Sequence, residues 1–306
     1  MPWQTLCINA ESKISLDQNN IVIKKADGSY QSYNLRAIDC VIFNNARLII
    51  TLPIITALIE HNTTSIFCNN KHDPIGMFVP FGIHTKAYEK LNEQINWNNV
   101  RKKNLWKMII EQKICSEKTT IRFLKEDVET INKLDVLQHS VNSNDKTNRE
   151  AIAARIYFSN LFGEDFTRNR DCPVNYALNY GYKILVSYIS SCITGRGLLP
   201  ALGIHHIGPE NAFNLTYDFI EPFRYIIDVW TYLYILYIYS MDNDAFLSGH
   251  RQQLNQIFNI KIRLEDTWMR LDDGISKIVD SYISYLNNDR DTILRISYKD
   301  GIQLNE

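Results

Sequence analysis

"GMFVPFGIHTK", residues 76–86, divides the chain into two kinds of pattern. Before it come short apolar runs with partial alternation: "TLCIN" at 5–9, "KISLD" at 13–17, "NIVIKK" at 20–25, "DCVIFN" at 39–44 and "TSIFCN" at 64–69. Alternation of this kind belongs to strands with one buried face. "ADGS" at 26–29 marks a hairpin, because Asp-Gly supplies the positive φ of a tight turn. "PIITALIEHN" at 53–62 reads as one embedded helix that starts at Pro53. After the 76–86 stretch the apolar spacing becomes helical, as with Leu105, Met108 and Ile109, or Ile110 and Ile114, inside 86–126. "HSVNSNDKTN" at 139–148 is a polar loop. "REAIAARIYFSNLF" at 149–162 is a helix with small residues Ala151, Ala153 and Ala154, and 174–197 is a helix ended by Gly195 and Gly197. The helical pattern continues from 217 to about 286, with breaks at "DNDAFLSGH" and "RLDDG". The expected fold is α+β: a small N-terminal β-rich, β-sandwich-like domain over 1–82, then a larger all-α helical domain over 83–306.

Composition limits the function. The chain has 306 residues, 45% hydrophobic and 22% charged, which is the composition of a folded globular protein. A net charge of −1 excludes a uniformly basic nucleic-acid coat but leaves room for a local basic surface. The six cysteines form no C-x-x-C pair, which argues against structural zinc and for reduced thiols. "MPWQTLCINAESK" has neither the basic nor the apolar region of a secretory signal. The longest apolar run, 229–241, is too short for a bilayer and reads as a buried helix. A cytoplasmic protein without membrane contact is the expectation.

The candidate chemistry lies in "ALGIHHIGPENAFNLTYDFIEPFR", 201–224. Asp218 and Glu221, three apart, share one helical face, where two acids repel unless a cation or base stands between them. A solvated helix end with favourable dipole contacts fits the same spacing. His205 and His206 sit in a loop between helices, and adjacent histidines do not readily point to one site. Glu150 opens the helix after the polar loop, with Arg149, Arg155, Arg168 and Arg170 around it in sequence. An acid there also suits a helix start. Together these are one imidazole and two or three carboxylates from three segments, a set that suits Mg²⁺ or Mn²⁺ better than zinc. Such a cation activates a hydroxyl and shields a phosphate. Residues 86–126 carry ten Lys and Arg against five acids, with Trp97 and Trp106 interleaved among Arg101, Lys102, Lys103 and Lys107. That is either a polyanion-binding face or a solvated helix.

With those residues in place, the chain resembles the CRISPR-associated integrase family, the catalytic subunit of the spacer-acquisition complex. The resemblance runs through "WQTLCINAESKISLDQNNIVIK", "SIFCNNKHDPIGMFVP", "LWKMIIEQKI", "NREAIAARIYF", "LNYGYKIL" and "LPALGIHHIGPENAFNLTYDFIEPFR". The opening motif and "FCNNKHDP" are most similar to the type II branch, which accompanies a single-protein RNA-guided effector nuclease. The resemblance implies a β-sandwich-like domain followed by a helical one. It also implies a metal site of Glu150, His206 and Glu221, with Asp218 as a nearby second carboxylate. In the family the histidine follows a glycine by three, so the resemblance places it at His206, after Gly203, rather than at His205. Two positions depart from the common pattern: Glu221 where some branches have Asp, and Tyr225 where Pro is frequent.

The resemblance implies insertion of short captured DNA (prespacers) into a CRISPR array, by attack of a 3′-hydroxyl on a phosphodiester, with associated endonuclease activity. Arg101, Lys102, Lys103, Lys107, Arg149, Arg155, Arg168, Arg170 and Arg224 would bind the DNA. The expected partners are double-stranded DNA of prespacer and repeat, a second copy of the chain, the small acquisition subunit in a four-to-two complex, and the type II effector nuclease. The N-terminal domain would serve dimerisation and partner contact. Two other readings stay open: a non-catalytic DNA-binding scaffold of the same fold, and a structure-specific DNA endonuclease unconnected with CRISPR.

Overall fold

The computed structural model describes residues 4–61, 63–70, 74–78, 86–237, 249–250, 254 and 257–298. The chain divides into two compact units, Met1–Thr85 and Lys86–Glu306. The boundary expected after residue 82, most of the 76–86 stretch, and most of the "DNDAFLSGH" break lie outside the described residues.

The first unit contains β1 (Gln4–Ile8), β2 (Ser12–Asp17), β3 (Asn20–Lys25), β4 (Tyr30–Asn34), β5 (Ile38–Phe43), β6 (Ile49–Ile50), α1 (Leu52–Glu60), β7 (Thr64–Cys68) and β8 (Pro74–Met77). One sheet has the order β1-β5-β7-β8 and the other β4-β3-β2-β6. The Asp27-Gly28 turn closes the β3–β4 hairpin: the backbone N–H of Lys25 donates to the Ser29 carbonyl, and Asp27 accepts from Ser29. Alternation buries Ile14 on β2 and Ile21 and Ile23 on β3. These residues share one core with Ile8, Val41 and Phe43 of the other sheet and Ile54 and Leu58 of α1. Strands β4, β6 and β8 carry no readable signal. β4 is an edge strand whose residues are mostly exposed, and β6 is two residues long.

The second unit is built on α3 (Asn99–Leu124), which buries Leu105, Trp106, Ile109, Ile110 and Ile114. The single helical pattern over 86–126 is in fact two helices. α2 (Ala87–Ile95) ends before Asn98, whose side chain accepts the N–H groups of Val100 and Arg101 and so starts α3. There follow α4 (Val128–His139), α5 (Arg149–Phe162), α6 (Pro173–Gly195), α7 (Asn214–Ile220) and α8 (Arg224–Tyr237). A 3-10 turn at Glu221–Phe223 joins α7 to α8 around Pro222, which has no N–H to donate. α9 (Leu271–Leu286) packs against α3 and α6.

The helical unit also holds a small sheet of order β10-β9-β11, from β9 (Lys261–Leu264), β10 (Thr267–Arg270) and β11 (Ile296–Ser297). The helical reading of 217–286, which allowed breaks only at "DNDAFLSGH" and "RLDDG", fails between those breaks, where β9 and β10 lie. "KIRL" alternates, with Ile262 and Leu264 buried, and Glu265 takes a positive φ of 52° in the two-residue turn to β10.

Phe219, on α7 between Asp218 and Glu221, is fully buried with its ring edge-on to Tyr282 of α9 at 5.1 Å. Phe219→Ala is expected to destabilise the helical unit by about 3–5 kcal/mol, and Phe219→Leu by clearly less. Urea unfolding followed by circular dichroism measures both. Equal, small losses would show that this contact does not hold α7.

Candidate active site

The site begins with a helix start. The polar loop before α5 places Asn144, Asp145 and Asn148 in left-handed backbone conformations, with φ of 63°, 45° and 53°. The Asp145 carboxylate then accepts the backbone N–H groups of Arg149 and Glu150 at 2.9 and 3.0 Å. This caps α5 and fixes Glu150 in its first turn.

The second segment is the loop before α7. Asp218 is fully buried, and its oxygens accept the backbone N–H groups of Ile204 (2.6 Å), His205 (3.2 Å) and His206 (3.0 Å). The same carboxylate lies 2.8 Å from Nδ1 of His206. That hydrogen bond, against the effect of burial, raises the His206 pKa. With Nδ1 held in this way, Nε2 is the ring acceptor that remains. The loop admits no side chain at Gly203: a Cβ there would lie 2.2 Å from the His206 carbonyl oxygen and 2.8 Å from Oδ2 of Asp218. Asp218 therefore stands behind His206 as its anchor and does not line the pocket.

His205 points elsewhere. Its ring stacks on Trp106, with centroids 4.1 Å apart and planes 5° from parallel, and its Nδ1 is 3.2 Å from Oδ1 of Asn144. Burial lowers its pKa.

Glu150, His206 and Glu221 all line one open pocket of about 300 Å³. Two residues that sequence reasoning missed stand among them. Lys113 of α3 has its ammonium 2.6 Å from Oε1 of Glu150 and 2.6 Å from Oε2 of Glu221. Burial opposes its charge, but Glu221, Glu150 and Glu117 outweigh burial and raise its pKa. Glu117, one turn further along α3, is pushed up to about 8 by burial. The signal for both was the four-residue Lys113–Glu117 spacing, which puts an opposite-charge pair on one face of the helix. Glu221 is buried too. Burial pushes its carboxyl up, but Arg224, whose Nε is 2.9 Å from Oε1, and Lys113 together hold it below the usual carboxylate range. A further acid, Asp228, is raised to about 6 by burial and accepts from the hydroxyls of Tyr157 (3.1 Å) and Tyr182.

The basic residues separate into groups. Arg168 and Arg224 line the pocket, each with its guanidinium over the Tyr182 ring. Lys103, Arg155 and Arg170 are exposed; Lys102 and Arg149 are half-buried; Lys107 pairs with Glu111 at 3.6 Å. Arg101 is committed inside the unit. Its Nε donates to the Tyr285 carbonyl at 2.6 Å, its guanidinium stacks on the Tyr285 ring, and it pairs with Asp291. Trp97 and Trp106 are 5% and 0% exposed, so neither offers a face for base stacking. Helix packing took the aromatic residues that the interleaved pattern had suggested for a nucleic-acid face.

The donor chemistry of Glu150, Glu221 and His206 fits a hard divalent cation: two carboxylates, and an imidazole oriented by a buried acid. In the arrangement described, an ammonium stands between the two glutamates. Among the described residues no three His, Cys, Asp or Glu side chains gather closely enough to chelate an ion. No described helix is long and apolar enough to cross a membrane.

A β-rich unit, a helical unit and an acid-and-histidine pocket in the latter define the class. The family model described as CRISPR associated protein Cas1 matches residues 6–249. A CRISPR-associated endonuclease Cas1 of Neisseria meningitidis is 34% identical over 284 residues, covering 92% of this chain and 91% of that protein. One from Saccharolobus solfataricus is 30% identical over 224 residues, covering 70% and 69%. This chain therefore belongs to the CRISPR-associated Cas1 family. The fold is shared with a casposase bound to integration product (TM-score 0.75, 20% identity, 96% of this chain and 92% of that one) and a Cas1 protein of Thermotoga maritima (0.67, 15%, 92% and 97%). It is also shared with a chain of a Cas6-RT-Cas1–Cas2 complex (0.74, 16%), where 97% of this chain matches 36% of a longer one.

Asp218→Asn is expected to lower the His206 pKa, since the amide carries no charge to favour the imidazolium. The Asp218 contact stabilises the metal-free fold at pH below the ordinary histidine pKa, and that contribution fades as pH rises through the raised one. NMR titration of the imidazole measures the shift, and an unchanged pKa would contradict the assignment of the anchor.

Proposed function

We propose that this chain is a divalent-metal-dependent DNA integrase that inserts short duplexes into a CRISPR array, with endonuclease activity from the same pocket. The observation that carries the reading is the convergence of Glu150, His206 and Glu221, from three separate segments, on one open pocket with Arg168 and Arg224. Membership of the Cas1 family supports it, as do the relatives named as endonucleases. The casposase, bound to its integration product, is a fold neighbour.

Glu150, His206 and Glu221 are the residues proposed to hold Mg²⁺ or Mn²⁺. When bound, such an ion favours the deprotonated 3′-hydroxyl and offsets charge on the attacked phosphate. Asp218 keeps His206 in the tautomer and orientation needed for its Nε2 to accept. Arg168, whose terminal nitrogens donate to Asn175 and Asn179, and Arg224, whose Nε is on Glu221, bring positive charge to the pocket that favours a phosphate. Tyr182 carries both guanidiniums on its ring and so fixes their direction. In the reaction a 3′-oxygen bonds to phosphorus as the bond from that phosphorus to the leaving 3′-oxygen breaks, and the leaving oxygen takes up a proton. With water as the attacking group, the same site hydrolyses DNA. Positioning and charge stabilisation dominate such transfers.

Exposed Lys103, Arg155 and Arg170, together with Lys102, Lys107 and Arg149, are proposed to follow the DNA backbone. Arg101 is left out because its guanidinium is already engaged. A cytoplasmic setting, a homodimer and a four-to-two assembly with the small acquisition subunit complete the reading. The type II effector nuclease is a further partner, on the strength of the opening motif and "FCNNKHDP".

The test is strand transfer. Protein and small partner are mixed with a duplex bearing free 3′-hydroxyls, a supercoiled plasmid carrying a CRISPR repeat, and Mn²⁺ or Mg²⁺. Wild type is expected to join the DNAs. Glu150→Ala and His206→Ala are expected to lower joining by about 10²-fold or more, while His205→Ala keeps most of it. Joining unaffected by Glu150→Ala, or lost only in His205→Ala, would contradict the site.

A further inference from the structure

Lys113 has no part in the chemistry proposed above, yet it occupies the centre of the site. Its side chain is 11% exposed, and its ammonium makes 2.6 Å contacts to Glu150 and to Glu221. An ammonium and a divalent cation cannot both sit between the same two carboxylates, because like charges at such distances repel. Glu117 lies one turn further along the same helix and lines the same pocket. It is 3% exposed, and its Oε2 is buried without a hydrogen-bond partner. A buried carboxyl oxygen with no hydrogen-bond partner is uncommon and calls for a reason. Residues four apart on a helix share a face, and the flexible four-carbon stem of lysine lets its head group reach along that face.

We propose that Lys113 is an internal cation with two seats: between Glu150 and Glu221 without metal, and on Glu117 once a divalent ion has taken the first seat. The inference rests on the metal-site reading. In the metal-free protein the lysine holds two acids together that would otherwise repel. When metal binds, the displaced ammonium needs a new counter-charge, and Glu117, giving up its proton to solvent as the ammonium arrives, supplies it within the same pocket. The lysine therefore competes with metal, and the second seat weakens that competition. A merely structural lysine would have no such effect on metal affinity.

The experiment is a MnCl₂ titration of the full chain, read by calorimetry and by the melting temperature. Lys113→Met is expected to melt lower without metal yet bind Mn²⁺ about tenfold tighter than wild type; Glu117→Gln is expected to bind it about fivefold weaker. Glu150→Ala serves as the control for the site. Loss of binding in Glu150→Ala with unchanged or weaker binding in Lys113→Met overturns the lysine proposal alone. So does wild-type affinity in Glu117→Gln. Binding unaffected by Glu150→Ala overturns the metal reading and the proposal with it. If Lys113→Met is unfolded without metal, recovery of its helical circular dichroism on adding Mn²⁺ supports the proposal, and no recovery counts against it.

Discussion

Neutralising buried carboxylates is the constraint around which the helical unit is arranged. Glu117, Asp218, Glu221 and Asp228 are each at most 3% exposed, and Glu150 is close by. Isolated charges of this kind are too expensive to bury, so each needs a partner or a proton. Backbone N–H groups and His206 partner Asp218. Lys113 and Arg224 partner Glu221, and tyrosine hydroxyls serve Asp228. The pairs tie α3 to α5, to the turn after α7 and to the start of α8. Removing one partner would leave a buried charge uncompensated, which costs about 3–5 kcal/mol in comparable cases. The same arrangement that holds the helices together concentrates acids where a divalent cation could use them.

Much of the fold could be read from local pattern. "NIVIKK" is β3, and "REAIAARIYFSNLF" is α5 from end to end. The parts that escaped are those whose signal is not local. β4 lies at a sheet edge and exposes most of its residues, so nothing alternates. The β9–β10 hairpin is four residues per strand and turns through Glu265 rather than a glycine. The break between α2 and α3 depends on one asparagine cap inside a pattern that is otherwise helical throughout.

The candidate site was legible in its acids and its histidine but not in its wiring. Gly203, His206 and Glu221 lie within one short stretch of sequence, Glu150 opens the helix after the polar loop, and the resemblance joined Glu150, His206 and Glu221 into one ligand set. Only the fold reveals that Asp218 turns away from the pocket to hold the loop, and that Lys113 stands between the two glutamates. Arg101 and the two tryptophans show the opposite error. On sequence they suited a nucleic-acid face, and helix packing claimed them instead. Charge counts along a helix do not distinguish the side that meets solvent from the side that meets α9.

The most direct test is a crystal structure of the protein soaked in MnCl₂, with anomalous data collected at the manganese edge. The account predicts one strong anomalous peak within coordination distance of Glu150, Glu221 and Nε2 of His206. It also predicts that Nζ of Lys113 leaves its position between the glutamates. A manganese peak elsewhere, or none while Lys113 still bridges Glu150 and Glu221, would contradict it.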